Sequence, residues 1–210
     1  WPLSQQFDAQ EGGNWPDGTE IQSVTLNYLV VAGGGAGGSF AGGGAGGYRA
    51  SGYGPAPLQG CALTVCSSST YTITVGAGGG NSCGTAYPAP CASPPDGSGE
   101  GYGNVSSIKQ GCTVLIQSSG GAYPLNASCG NPWNNNNGRR GGPGGSGSGG
   151  WPSAKAPKRP GGSGNAGGFS PPEGNSGGSG GNPDNRGGGA GGGAPAAGAS
   201  GSGYTGGAGG

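Results

Sequence analysis

The chain has 210 residues, of which 60 are Gly and 18 are Pro, and its 8 basic residues balance its 8 acidic residues. Gly and Pro at more than a third of a chain are typical of low-complexity or disordered proteins, but disorder usually also requires a high net charge, which this chain lacks. The sequence contains no His, and its acidic residues stand singly, so it offers neither a histidine base nor a paired carboxylate. We therefore expect a non-enzymatic protein with no cofactor and no bound metal.

Residues 1–20 contain two Trp-Pro pairs and little periodicity. We interpret them as an N-terminal arm that precedes the folded domains. No amphipathic helical pattern occurs in this arm or later in the chain, so the sequence predicts essentially no α-helix.

Residues 21–130 are predicted to form a small β domain with glycine-rich loops. Short, β-branched and partly alternating runs, separated by Gly, Pro and Ser, are typical of strands. These predicted strands are 21–31, 61–66, 70–75, 104–108 and 112–117.

The cysteines of this domain predict a disulfide framework. An even number of Cys, in a chain without His and with a poor core, favours disulfides over a metal site. If residues 61–66 are extended, Cys61 and Cys66 lie too far apart to bond to each other, and the other connectivities stay open. Disulfides indicate an extracellular location, and so do candidate N-glycosylation sites at Asn104 and Asn126. The disulfide candidates are Cys61, Cys66, Cys83, Cys91, Cys112 and Cys129.

Residues 131–210 cannot form a conventional core, because no Val, Leu or Ile follows Leu125 and Phe169 is the only later Phe. Glycine recurs there at every third position in four short runs. A polyproline II helix has about 3 residues per turn, so such glycines form a bare stripe along which neighbouring backbones can satisfy each other's N–H and C=O groups. The alternative is that the register arises by chance. The stripe glycines are Gly141, Gly144, Gly147, Gly150, Gly161, Gly164, Gly167, Gly174, Gly177, Gly180, Gly203, Gly206 and Gly209.

The predicted fold is therefore mostly β plus polyproline or polyglycine II: a disulfide-stapled β domain followed by a bundle of glycine-rich helices. Lateral backbone contact, rather than apolar burial, is expected to stabilise the bundle. Valine at Gly144 or Gly177 is expected to disrupt it, whereas Ser146 and Ser176 lie off the stripes and are expected to tolerate substitution.

The order of four motifs carries a resemblance. "YLVVAGGGAGG" followed by "GGGAGGYR", then "YTITVGAGG" and "GNVSSI", and finally a long glycine-rich tail, resembles the glycine-rich domains of bacteriophage tail fibres and adhesins. The resemblance extends from about Asn27 to the C terminus. It implies a non-catalytic receptor-binding or structural module, sometimes packed as polyglycine II helices.

Two breaks between glycine runs, "NPWNNNNGRRGG" and "GGWPSAKAPKRPGG", combine Trp with basic residues. Trp stacks on sugar faces and Arg binds carboxylate or phosphate, so we expect an anionic cell-surface glycan as a partner. Nucleic acid is not expected, because no single-strand stacking platform is evident. The alternative is that the loops are solvated and the Trp residues cap the bundle. The candidate binding residues are Trp133, Arg139, Arg140, Trp151, Lys155, Lys158 and Arg159.

Two functional classes follow from these features. The first, which we favour, is a self-associating extracellular structural subunit of a filament, sheath or surface appendage, present as a homo-oligomer or polymer. The second is a tail-fibre tip adhesin that binds a surface glycan. No apolar run is long enough to span a membrane.

Overall fold

The computed structural model describes residues 2–12, 23–66, 69–80, 101–124, 140–153, 158–181 and 186–210. The fold is mostly β, with little α-helix, as the sequence predicts. The described residues include one α-helix, α1 (Leu3–Glu11), and a short 3-10 turn at Ala56–Leu58. The strands are β1 (Ser23–Leu26), β2 (Leu29–Val31), β3 (Tyr48–Ser51), β4 (Gln59–Gly60), β5 (Leu63–Cys66), β6 (Tyr71–Thr74), β7 (Ser106–Gln110) and β8 (Thr113–Ser118).

Helix α1 lies within the residues that were expected to form an arm without regular structure. It follows Pro2, and it ends where the N–H of Gly12 donates to the carbonyl of Asp8 at 2.9 Å. None of its residues is buried. The sequence did not predict this helix because its apolar residues form no stripe along one side.

The strands form three small sheets instead of a single sheet. β1 pairs with β5, β2–β3–β4 form the second sheet, and β6–β7–β8 form the third. Each of the five predicted runs overlaps a strand, and the first contains two, which belong to different sheets. Ser51 fixes the break between these two: its Oγ accepts from the N–H of Tyr28 at 2.9 Å and donates to Oδ1 of Asn27 at 3.2 Å.

Large apolar side chains do not form the core of this protein. Leu29, Ile73 and Val75 on or beside the strands are 63%, 70% and 83% exposed. The buried apolar residues are mostly small, so burial of apolar side chains contributes little per residue. They are Val30, Ala32, Ala41, Ala50, Leu58, Tyr102, Ala122, Trp151 and Ala190.

Extended glycine-rich segments, joined by backbone hydrogen bonds, form the interior instead. Segment 174–181 illustrates the pattern, because its donors to each neighbouring segment are three residues apart. Such a period is expected of an extended helix with about 3 residues per turn. Asn175, Gly178 and Gly181 donate to segment 186–193 at 3.1, 2.8 and 2.8 Å, and Gly177 and Gly180 donate to segment 158–164 at 2.9 and 2.9 Å.

Segments with four or five hydrogen-bonded neighbours form the inside of this array. Segment 141–153 is one of them, with segments 42–47, 119–124, 158–164, 174–181 and 186–193 as its neighbours. Segment 186–193 exchanges hydrogen bonds with segments 42–47, 141–153, 174–181, 198–203 and 206–210. Segment 42–47 exchanges them with segments 32–37, 119–124, 141–153 and 186–193.

Backbone hydrogen bonds also cross the domain boundary that was expected at residue 131. The N–H groups of Gly42 and Ala45 donate to the carbonyls of Gly189 and Gly192, both at 3.1 Å. Glycine-rich loops of the β domain therefore belong to the same array as the C-terminal glycine-rich region.

In segment 186–193, positions that face different neighbours all require glycine. A Cβ at Gly189 would overlap the carbonyl of segment 174–181, one at Gly191 would overlap segment 42–47, and one at Gly193 would overlap Gly210. Because three successive directions are closed by neighbouring backbone, glycine occupies nearly every position there and leaves no period-three stripe.

The predicted stripes differ in their surroundings. A Cβ at Gly147, Gly161 or Gly177 would overlap the backbone of a neighbouring segment. The last run behaves differently from the expectation, because a Cβ at Gly206 would meet only an atom 3.8 Å away and one at Gly203 or Gly209 would meet nothing within 4 Å. Glycines at 201, 207 and 210 make the close contacts in this part of the chain.

The two serines that were expected to lie off the stripes also differ from each other. Ser146 is completely buried, because segments 42–47 and 119–124 both bond to its backbone. The prediction that Ser146 tolerates substitution assumed that this residue lies away from the contacts between segments, and that assumption is wrong. Ser176 is exposed, as expected.

Candidate functional site

The predicted recognition residues do not form one exposed patch in the described part of the chain. Arg140 and Lys158 are exposed, but Trp151 and Arg159 are only 6% and 7% exposed. The Trp151 ring packs edge-on against Phe40 with 5.5 Å between centroids, as expected of a residue that caps the glycine array. Trp133, Arg139 and Lys155 lie outside the described residues.

The cysteines give no disulfide among the described residues. Cys61, Cys66 and Cys112 are free, and the first and last of these are exposed. The candidates Cys83, Cys91 and Cys129 lie outside the described residues. The staple that was expected for the β domain is therefore not seen here, and the three sheets are joined to the glycine array by other contacts.

One of these contacts is a buried carboxylate. Glu173 is completely buried, and its Oε2 accepts from the N–H of Ser119 at 2.7 Å and from the Oγ of Ser118 at 3.2 Å. Its Oε1 accepts from the N–H of Gly167 at 3.3 Å. A Cβ at Gly47 would overlap this carboxylate, so glycine is required there for the carboxylate to fit.

The backbone of Glu173 ties the same place together. Its carbonyl accepts from the N–H of Tyr48, the first residue of β3, at 2.7 Å. The adjacent Arg49 donates to the carbonyl of Gln117 in β8 at 3.0 Å, and its guanidinium lies 4.3 Å from the centre of the Phe169 ring. We call Arg49, Gln117, Phe169 and Glu173 with their partners the junction cluster.

The junction cluster is suited to holding the chain rather than to chemistry. The carboxylate of Glu173 accepts hydrogen bonds from protein donors and is closed to solvent, so it has no free face for a substrate. Its three donors are neutral, and together they offset part of the free energy of burying a charge. The cluster joins β3 and β8 to the loop that leads into segment 174–181.

Tyr102 is a second buried ionisable group. It is 6% exposed, and burial raises the pKa of its phenol above the ordinary value of 10.0, while the charge of Arg140 opposes this shift. A Cβ at Gly142 would overlap the Tyr102 hydroxyl, so this ring also fills a place that depends on glycine.

An open groove of about 710 Å³ runs along the glycine array. Its floor is formed by segments 42–47 and 186–193, with Gly34 on one wall and segment 206–210 on the other. Its lining residues are Gly and Ala apart from Phe40. The groove therefore presents backbone, rather than charged or catalytic side chains, to whatever enters it.

Backbone donors of the groove are unused. Within the described residues, the N–H groups of Gly43, Gly188, Gly191, Gly206 and Gly209 have no hydrogen-bond acceptor. Among the groove-lining residues of segments 186–193 and 206–210, the two unused donors of each segment are three residues apart, which is the period of the internal hydrogen bonds. The N–H of Ala208, which does not line the groove, also lacks an acceptor.

The sequence did not point to this groove. Runs such as "GGGAGG" give no sign of which glycine faces another segment and which faces solvent, because all of them lack a side chain. Only the fourth predicted stripe, which includes Gly206 and Gly209, contains residues of the groove wall.

The described residues form neither a metal-ligand cluster nor a membrane-spanning helix. Among the described residues, no group of three or more His, Cys, Asp or Glu side chains comes together as metal ligands would. No helix in the described ranges is long and apolar enough to cross a membrane. Comparison with protein-family models, with curated proteins and with solved structures found no match to this chain.

Proposed function

We propose that this chain is a non-enzymatic structural protein, a glycine-rich subunit of a surface appendage, filament or sheath that self-associates. Its glycine segments act as polyglycine II helices, packed side by side and held by backbone hydrogen bonds. The resemblance to glycine-rich domains of tail fibres and adhesins fits this role, and so does the absence of exposed catalytic chemistry from the groove lining.

One observation carries the proposal, namely the period of three in the hydrogen bonds between segments. Gly147, Gly150 and Ser153 donate in turn to Asn175, Gly178 and Gly181 at 3.0, 2.9 and 2.9 Å. We call each extended glycine-rich segment a rod. A rod that forms lateral hydrogen bonds at regular intervals can bind further rods in the same way, since each N–H and C=O on its outer side is free to form a hydrogen bond. Lateral growth is therefore a natural property of this packing.

Electron microscopy of the purified protein tests the proposal. At rising protein concentration we expect a regular array or filament, and we expect sedimentation to show a matching loss of the monomer. Particles that remain monomeric at every concentration would contradict self-association. One copy or one trimer at the end of a fibre, in native particles, would favour the adhesin instead.

Extracellular location is part of the proposal and has its own test. Asn104 is exposed, as a glycosylated residue must be, whereas Asn126 lies outside the described residues. The free thiols of Cys61 and Cys112 give no support to an oxidising compartment. A thiol reagent on the native, unreduced protein tests this part of the proposal. Unreactive Cys61 and Cys112 would restore the disulfide framework and support an extracellular location, whereas reactive thiols, as the structure has them, would leave that location without support from the cysteines.

The alternative function, an adhesin that binds an anionic glycan, retains less support than the structural role. Of its candidate residues, Arg140 and Lys158 are exposed and could meet a ligand, but Trp151 and Arg159 are buried. A recognition surface of Trp stacked beside Arg is therefore not available from these two residues.

A further inference from the structure

We propose that the groove is the place where two copies of this chain meet, and that segment 206–210 of a second copy lies in it as an additional glycine rod. This inference rests on the proposed function, because it names the surface and the partner of one pairwise contact in self-association. A two-fold contact closes on itself, so growth from this dimer to a filament would use other outer segments as well. Four features of the described residues lead to it.

The first feature is that the ring of rods around segment 186–193 is incomplete at one place. Its consecutive neighbours bond to each other all the way round, except between segments 206–210 and 42–47, which share no hydrogen bond. The groove occupies this gap. The neighbours, in order round the ring, are segments 42–47, 141–153, 174–181, 198–203 and 206–210.

The ring around segment 42–47 is open at the same place. Segment 32–37 stands at one end of its sequence of neighbours and segment 186–193 at the other, and these two share no hydrogen bond. Both central rods therefore lack a neighbour on the groove side. An additional rod in the groove would contact both of them as well as segment 206–210.

The second feature is the set of unused donors. The N–H groups of Gly188 and Gly191 on the floor, and of Gly206 and Gly209 on the wall, repeat every three residues. A glycine rod offers carbonyl oxygens with the same repeat, so it can accept from each wall in turn. This arrangement is equivalent to the unpaired edge of a β-sheet, which is a template for another chain.

The third feature is the open space above the wall glycines. A Cβ at Gly34 would come no closer than 3.9 Å to another atom, and one at Gly209 would meet nothing within 4 Å. No contact among the described residues therefore requires glycine at these positions. A rod lying against them would require it, as the rods inside the array do.

The fourth feature identifies the partner as a second copy. Segment 206–210 lies beside the groove, so the molecule carries a ridge and a groove of the same kind next to each other. A two-fold axis places the ridge of each copy in the groove of the other, which gives a self-complementary interface. The segment has no charged side chain and spans about 15 Å at ~3.1 Å per residue, and the groove lining has no charged side chain either.

Valine substitutions on the groove wall test this interface. Gly206→Val and Gly209→Val place a branched side chain where the second rod would lie, whereas Ser176→Val adds the same side chain to an exposed position of segment 174–181, away from the groove. We expect both glycine variants to raise the dissociation constant of the dimer, measured by sedimentation equilibrium, by about tenfold or more. We expect Ser176→Val to leave it within about twofold of the wild type.

The outcomes separate the possible failures. All three variants should have the melting temperature of the wild type, because the added side chains make few contacts with the described residues. If one of them does not fold, Gly34→Val on the opposite wall provides another variant that blocks the groove. Self-association that is unchanged in every groove variant overturns this interface and leaves the proposed function intact. A wild-type protein that stays monomeric overturns both.

Amide hydrogen exchange gives an independent readout. The N–H groups of Gly188 and Gly191 should become protected when the protein associates, because they gain acceptors from the second copy. The N–H of Gly189, which already donates to Gly150 at 2.9 Å, should be protected in both states. Association without new protection at Gly188 and Gly191 would also overturn the proposal.

Discussion

Glu173 is an unusual residue, because a carboxylate is buried and its oxygen atoms are satisfied by neutral donors. The N–H groups of Ser119 and Gly167 and the hydroxyl of Ser118 all point their hydrogens at it. Such a site is matched to an acceptor with two oxygen atoms. It cannot accommodate a side chain that places a donor in the same position.

Glu173→Gln is therefore expected to destabilise the protein. The substitution replaces one oxygen by an NH₂ group, which faces a donor and leaves at least one buried hydrogen bond unmade. We expect a loss of about 1–3 kcal/mol in the free energy of unfolding, measured by chemical denaturation. Glu11→Gln, on the exposed helix α1, is the matched control and should change the stability little. Equal effects of the two substitutions would contradict the role given to Glu173.

The raised pKa of Tyr102 predicts that the stability of the protein depends on pH. Burial raises its pKa, so above a pH of about 10 the unfolded chain loses this proton while the folded chain retains it. The unfolded state then binds fewer protons, and stability falls as pH rises towards the folded pKa. Below about pH 10 this contribution is fully present.

The comparison of wild type with Tyr102→Phe measures that contribution. Thermal unfolding between about pH 8 and pH 11 should show the wild type losing stability relative to the variant at the alkaline end. Parallel curves for the two proteins would mean that the phenol does not carry a raised pKa in the folded state.

At the scale of single elements, glycine and serine in one segment should behave differently. Gly177→Val places a side chain against the carbonyl of Ser148 and should separate segments 174–181 and 141–153. The loss of several hydrogen bonds at about 1 kcal/mol each predicts a destabilisation of ~3 kcal/mol. Ser176→Val, one residue earlier and exposed, should cost little. Thermal melting and limited proteolysis of both variants check this, and equal tolerance would mean that backbone contact does not hold the array.

How well the sequence predicted each element depended on its side chains. β-Branched runs such as 70–75 marked their strands because those residues favour extended backbone. β3, with the sequence YRAS, lacks such a run and was missed; it is held by pairing with β2 and by the junction cluster. Helix α1 was missed because it buries no apolar side, so no periodicity identifies it.

Glycine stripes were predicted where other residues interrupt the glycine run, both at the edge of the array and, in segment 141–153, inside it. Segment 174–181 carries serine at its exposed register, so its stripe is visible in the sequence. Segments 42–47 and 186–193 have neighbours on several sides, and glycine fills nearly all their positions. Their central place cannot be inferred from periodicity, since the same composition is expected of a linker.

At the scale of the whole molecule, the arrangement of rods depends on which segments pair with each other. These pairs cannot be identified from the sequence pattern. Gly42 bonds to Gly189 across more than half of the chain, and nothing distinguishes this glycine from its neighbours before folding. In a sheet, side-chain patterns fix register. Here the junction cluster and the buried side chains of Tyr102, Trp151 and Glu173 are the features that can fix it, and we assign that role to them.

The response of self-association to salt separates the two proposed functions at this scale. The groove lining is uncharged, so association through it should change little between about 0.01 M and about 1 M salt, although the Debye length falls from ~30 Å to ~3 Å over that range. Binding of an anionic glycan through exposed residues such as Arg140 and Lys158 should weaken steeply over the same range. Sedimentation across the salt series measures the first, and retention on an immobilised anionic glycan measures the second. Association that weakens with salt in the same way as glycan retention would mean that charged loops, rather than packed glycine backbone, bring the copies together.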